Sequence, residues 1–187
     1  MKTCFFLIAL TISTCLNSFG QEVLKINTSK SKIKWIGEYT FYFGGHNGNI
    51  QFKNGHFLKS NDVIVGGEFI IDMNSITCND IEVADANESL VNHLKNEDFF
   101  NVSKFPTSKL VINSVKYEDK THMTIHADLT IKGITHPIVF QAEANYEKQQ
   151  LTTKFKIDRM KWGVSYNGQL RDGAISDAIG FEVTLSL

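Results

Sequence analysis

His122–Tyr146 reads H-M-T-I-H-A-D-L-T-I-K-G-I-T-H-P-I-V-F-Q-A-E-A-N-Y. Met123, Ile125, Ala127, Leu129 and Ile131 take every second position, Lys132-Gly133 interrupts them, and Ile138, Phe140, Ala142, Ala144 and Tyr146 resume the same period. The intervening Thr124, His126, Asp128, Gln141 and Glu143 are polar. Successive side chains of a strand point to opposite faces, so each run predicts a strand with one apolar and one wet face, and the Lys-Gly pair predicts the turn between them. One-sided strands are antiparallel logic, because strands of parallel sheets are apolar on both faces.

The period of two recurs at Ile33/Trp35/Gly37/Tyr39, Ile50/Phe52, Phe69/Ile71/Met73, Leu110/Ile112, Phe155/Ile157 and Ile179/Phe181/Val183/Leu185/Leu187. Turn signals fall at Gly44-Gly45, Asn47-Gly48, Asn54-Gly55, Glu118-Asp119-Lys120, Glu147-Lys148-Gln149 and Arg171-Asp172-Gly173. Roughly eight strands at such intervals predict an all-β meander that closes into a barrel or folds over as a sandwich. The exception is Asp85–Phe100, where Leu90, Val91, Leu94 and Phe99/Phe100 recur at helical spacing. This segment predicts a helix capped by Asn87, with Glu88 in its first turn, ending near Asn96 and followed by a short turn over Glu97–Phe100. A single helical stripe in an all-β chain is expected to cover one mouth of a barrel.

Residues 1–20 read as a secretory signal peptide: Lys2, an apolar run from Phe5 to Ile12, and small residues Ser18 and Gly20 before Gln21. The run is too short to span a membrane, which takes about 20 apolar residues. Ile12-Ser13-Thr14-Cys15 approaches a lipoprotein signal, but Thr14 fits poorly before the cysteine, so the expectation is a periplasmic or extracellular protein free of a lipid anchor at Cys15. Cleavage also removes Cys4 and Cys15, leaving Cys78 with no partner for an intramolecular disulfide. Residues 21–187 contain no linker, charge block or repeat and read as one domain, long enough to bury a substantial core. The net charge of −1 gives no reason to expect nucleic acid or an anionic membrane as partner.

The titratable residues do not converge in sequence. The six histidines are scattered, His122 and His126 share an H-x-x-x-H spacing on a strand rather than a helix, and no metal is expected. Cys78 has neither a C-x-x-C partner nor a neighbouring histidine to lower its pKa. No pair of carboxylates faces another across a recognisable cleft, so the chain reads as a non-enzyme. Arg159, beside Asp158 in an apolar strand, is expected to be buried and paired with Asp72, Asp98 or Asp128, the rival reading being a grip on an anionic head group.

Seven segments carry a more specific signal in their order and spacing. They are W-I-G-E-Y at Trp35–Tyr39, G-H-N-G at Gly45–Gly48, G-G-E-F-I-I-D-M at Gly66–Met73, H-L-K-N-E-D-F-F-N-V at His93–Val102, K-F-P-T at Lys104–Thr107, D-L-T-I-K-G-I-T at Asp128–Thr135 and I-D-R-M-K-W-G-V at Ile157–Val164. Together they resemble the YceI-like family over residues 23–187. The resemblance implies an eight-stranded antiparallel lipocalin-like barrel with a short helical insertion. It further implies an apolar tunnel that holds a long isoprenoid lipid, such as a quinone, as carrier or reservoir. An eight-stranded barrel has just enough interior either to be filled by side chains or to hold one small ligand.

The inward face supplies Trp35, Phe52, Phe69, Ile71, Ile112, Leu129, Phe140, Phe155 and Phe181, and the helical segment adds Leu90, Leu94 and Phe99. By pattern alone these line either a packed core or a tunnel; the resemblance favours the tunnel. Head-group partners are expected among Asn92, His93, Asn96, Ser165 and Asn167. Two rivals stay open: an enzyme acting on an apolar substrate through His93 or Arg159, and a filled barrel working through the aromatic loop Thr40–Asn49. A homodimer would shield the mouth of a carrier, although no residue argues for one.

Overall fold

The computed structural model describes residues 21–41, 43–165 and 174–187; the signal-peptide expectation, Tyr42, Asn167 and the Arg171-Asp172-Gly173 turn lie outside them. The described residues form nine strands: β1 (Glu22–Lys25), β2 (Lys32–Tyr39), β3 (Gly45–Ser60), β4 (Val63–Asp72), β5 (Thr107–Tyr117), β6 (His122–Ile131), β7 (Ile134–Asn145), β8 (Gln150–Asp158) and β9 (Ile175–Ser186). One helix, α1 (Ala84–Lys95), stands between β4 and β5. Pairing is antiparallel throughout, in the order β3-β2-β9-β8-β7-β6-β5-β4, and β4 pairs back onto β3. That closes an eight-stranded barrel. The short β1 is additional: β3 pairs with β2 through Gly45–Ile50 and with β1 through His56–Lys59.

The hairpin that decided the fold forms as its pattern requires. Met123, Ile125, Ala127, Leu129 and Ile131 are all buried, and Lys132 and Gly133 take φ of +50° and +74°, the two positive values a type I′ hairpin turn needs. Two expected turns are instead strand. Asn47-Gly48 and Asn54-Gly55 lie inside β3, where glycine serves close packing. A Cβ on Gly48 would stand 1.7 Å from the Thr77 carbonyl oxygen, and one on Gly55 would stand 2.5 Å from the Phe69 ring. The turn after β3 is made by Asn61 and Asp62, both at positive φ. The loop expected over Thr40–Asn49 accordingly ends at Gly44, with Phe41 and Phe43 exposed on it.

The helix also departs in detail. Val83 occupies the N-cap without a side-chain bond, Asp85 is the acidic residue of the first turn, and Asn87 lies within the helix. Asn87 donates its amide to the carbonyls of Cys78 (3.1 Å) and Ile81 (2.9 Å), so it fastens the preceding loop rather than capping α1.

At the barrel end where β2, β4, β6 and β8 finish, α1 and the 3-10 turn Met73–Ser75 cover the interior, and a second 3-10 turn, Arg159–Trp162, follows β8 at the same end. Arg159 is buried as expected, and among the described residues it meets three backbone carbonyls and one carboxylate. It donates to Val164 (2.7 Å), Ser176 (3.1 Å) and Ile175 (3.3 Å), and the carboxylate that meets it among the described residues is the exposed Asp177 at 3.5 Å, not Asp72, Asp98 or Asp128. Trp162 is buried beside it and donates its indole N–H to the Leu129 carbonyl at 3.0 Å. The Ile157–Val164 segment is therefore a structural plug that ties β8, β9 and β6 together.

Around the ring, β7–β8 is the shortest ladder: Ala142–Asn145 pair with Gln150–Thr153, and beyond them the strands part. Phe140 and Phe155 stack across the gap, with ring centroids 4.8 Å apart and planes at 19°.

Candidate functional site

The barrel interior has two levels. Beneath the cover lies a chamber of about 340 Å³, and the lower half retains a void of only about 70 Å³. Phe57 and Phe69, 5.0 Å apart and edge to face, together with the fully buried Met123 and Ile125, fill the lower half.

Trp35, Ile71, Leu129 and Phe181 form part of the chamber wall, and Leu90, Leu94 and Phe99 close it from above. Phe52, Phe69, Ile112, Phe140 and Phe155 border the lower void, with Ile71 bordering both spaces. A period of two identifies the inward face but carries no record of depth, which is why both levels read alike in sequence. Tyr39, His46, Ile50, Met73, Ile76, Ile131 and Ile179 also line the chamber, beyond the contacts expected from sequence. Ile131 and Ile179 lie in the same alternating runs and were legible there; Met73 and Ile76 lie in an irregular segment with no periodic signal.

Polar groups gather at the rim. His93 lines the chamber, with Nδ1 3.7 Å from Asp98 Oδ2. Of the other head-group candidates, Asn92 and Asn96 are exposed and Ser165 is half-buried. Tyr39 and His46 also line the wall, with the Tyr39 hydroxyl 2.8 Å from His46 Nε2. His46 Nδ1 is 2.9 Å from Asp80 Oδ2, and Asp80 Oδ1 accepts from the Asn47 N–H at 2.8 Å and from the Cys78 thiol at 3.3 Å. Burial pushes the Asp80 carboxyl upward, but the Asn47, His46 and Cys78 hydrogen bonds outweigh it and hold the group below its ordinary value. Cys78 thus has a histidine in its surroundings after all, 32 positions away in sequence.

This juxtaposition follows from the course of the chain. β4 stops at Asp72, opposite Gln51, leaving residues 47–49 of β3 without a β4 partner. Residues 77–80 take that place: Thr77 N–H donates to Asn49 O (2.9 Å), Asn79 N–H to Asn47 O (2.8 Å), and the Trp35 indole N–H to Thr77 O (3.0 Å). The side-less Gly48 permits the approach.

A closed antiparallel barrel with an apolar chamber under a helical cover defines the lipocalin-like class of β-barrels. The YceI-like domain family matches residues 24–187, and the chain belongs to that family. A UPF0312 protein of Staphylococcus aureus (strain USA300) is 31% identical over 156 residues, covering 72% of this chain and 88% of the relative. A UPF0312 protein of Shewanella denitrificans is 30% identical over 125 residues, covering 60% and 64%. Among solved structures, Burkholderia cenocepacia BcnA superposes with a TM-score of 0.70 at 16% identity, covering 86% of this chain and 98% of that one. A Campylobacter jejuni YceI protein, solved as a mutant, gives 0.52 at 17%, covering 98% and 91%. At these identities the solved structures support the fold alone.

Proposed function

We propose that the protein is a non-enzymatic carrier or reservoir for an isoprenoid lipid, with the hydrocarbon in the chamber and the head group at the rim. The carrying observation is the chamber itself, about 340 Å³ walled by isoleucine, leucine, phenylalanine and tryptophan, with Tyr39, His46 and His93 at its edge. A hydrocarbon gains roughly 25 cal/mol for each Å² of apolar surface removed from water, without needing directional partners. Ligand pockets run from about 300 to 1,000 Å³, so this one encloses a few isoprene units. A longer tail enters the lower half only if the Phe52, Phe69 and Phe155 rings move. In this reading residues 1–20 direct the chain out of the cytoplasm, and the carrier works in the periplasm or beyond.

Native mass spectrometry with lipid extraction, on protein isolated from its own host envelope, tests the proposal. A discrete co-purifying prenyl lipid or quinone supports it. An apo mass that persists after prenyl alcohols and quinones are offered overturns it.

A further inference from the structure

We propose that His46, Cys78 and Asp80 form a three-ligand site for a zinc-class divalent cation at the rim of the chamber. Each side chain offers one donor atom, and the three atoms lie within 4.8 Å of one another. Zinc bound at about 2.0–2.3 Å to nitrogen, sulfur and oxygen sets neighbouring donors roughly 3.3–3.7 Å apart. His46 Nδ1 is 2.9 Å from Asp80 Oδ2 and Cys78 Sγ 3.3 Å from Asp80 Oδ1, so the carboxylate already bridges the two, and with one of its oxygens as ligand a set that lies within 4.8 Å needs side-chain shifts of about an ångström to reach that spacing.

Three features distinguish this cluster from a clasp that merely holds a loop. First, Cys78 is buried yet stands outside the main hydrophobic cluster, its sulfur turned to a carboxylate; a buried cysteine ordinarily packs as a small hydrophobe. Second, the ligands have outer partners of the kind metal sites use. The Asn47 N–H orients Asp80, and the Tyr39 hydroxyl stands 2.8 Å from His46 Nε2, the ring nitrogen that would not bind the metal. Third, thiolate, imidazole and carboxylate on three protein positions suit zinc, with the remaining tetrahedral position left for water or a ligand oxygen.

Loading balances as follows. The Cys78 thiol loses its proton to solvent as sulfur bonds the cation. The metal-bound imidazole has Nδ1 bare and its proton on Nε2, where the Tyr39 oxygen, 2.8 Å away, is its acceptor; reaching this tautomer from the other neutral one releases no proton. One proton is released for each ion bound, so affinity rises with pH.

The test uses residues 21–187, which contain the whole closed barrel, titrated with Co²⁺ alone and with Zn²⁺ in competition. The expected result is one equivalent of Co²⁺ with sulfur-to-metal charge-transfer absorption. Cys78→Ser should lose that band, and Cys78→Ser and His46→Gln should each weaken Zn²⁺ binding by ~100-fold or more. Circular dichroism confirms that the variants fold. Should Cys78→Ser fail to fold, the unsubstituted protein still decides the matter, because bound Zn²⁺ must slow alkylation of Cys78. No cobalt–sulfur band, equal Zn²⁺ affinity in the folded variants, or alkylation unaffected by Zn²⁺ overturns the site. Lipid content is measured separately, so failure here leaves the carrier reading standing.

Discussion

Ile179→Trp separates a ligand chamber from an imperfectly packed core because it moves stability and binding in opposite directions. Ile179 lies in β9 between Gly37 of β2 and Ile157 of β8, its side chain on the chamber wall. Gly37 contributes no side chain opposite it, so the added indole atoms project into empty space. The exchange adds about six non-hydrogen atoms, close to one isoprene unit; at ~0.3 kcal/mol for each displaced ligand atom it removes about 2 kcal/mol of binding, or ~30-fold in affinity. Overpacking a filled core costs about 1–3 kcal/mol, which in a domain of this size lowers Tm by some 2–4 °C per kcal/mol. Filling a chamber instead leaves Tm unchanged or raises it, because apolar surface leaves water. The assay pairs fluorescence titration, using farnesol and the shorter geraniol as probes, with thermal unfolding. Farnesol affinity should fall by ~30-fold, geraniol affinity much less, with Tm maintained. Unchanged farnesol affinity refutes the placement of the ligand, and a Tm drop of several degrees refutes the chamber.

Three further outcomes follow from the architecture. Arg159→Met leaves the carbonyls of Val164, Ile175 and Ser176 without their charged donor, and urea denaturation should show a loss of about 3 kcal/mol. Gly48→Ala drives a methyl group into the Thr77 carbonyl and must push residues 77–80 off β3; hydrogen exchange at Thr77 and Asn79 should accelerate even if the barrel stays folded. Because the folded Asp80 titrates below its unfolded value, its contribution is complete above about pH 4 and is lost as pH falls through the lower folded value. Asp80→Asn should therefore flatten the acid limb of Tm against pH, and an unchanged limb would show that other carboxylates govern it.

The strands, their antiparallel sense and the covering helix were legible because period-2 and period-3.6 patterns record which side chains face inward. Depth along the barrel axis was not, so Trp35 and Phe52 read alike although one lines the chamber and the other the lower void. Glycine was ambiguous as well: Gly133 marks a turn, while Gly48 and Gly55 mark places where another segment must come close. Arg159 was legible as a buried cation met by a carboxylate, but which one was not: Asp177 lies 18 positions on in the next strand, and the carbonyls of Val164, Ile175 and Ser176 leave no trace in sequence. His46, Cys78 and Asp80 meet only because β4 ends early and the following chain takes its edge, a fact of topology rather than of local pattern.

The seam where β7 and β8 part gives the wall an expansion joint. Everywhere else in the ring, widening the barrel means breaking a longer ladder of directional hydrogen bonds, but here two aromatic faces can slide while keeping most of their contact. The girth at this line can thus follow the thickness of what is inside. Within residues 135–141 and 154–158, the amides that face the seam rather than β6 or β9 should exchange faster than the rest of the wall, and a ligand that stretches the hoop should change exchange there first.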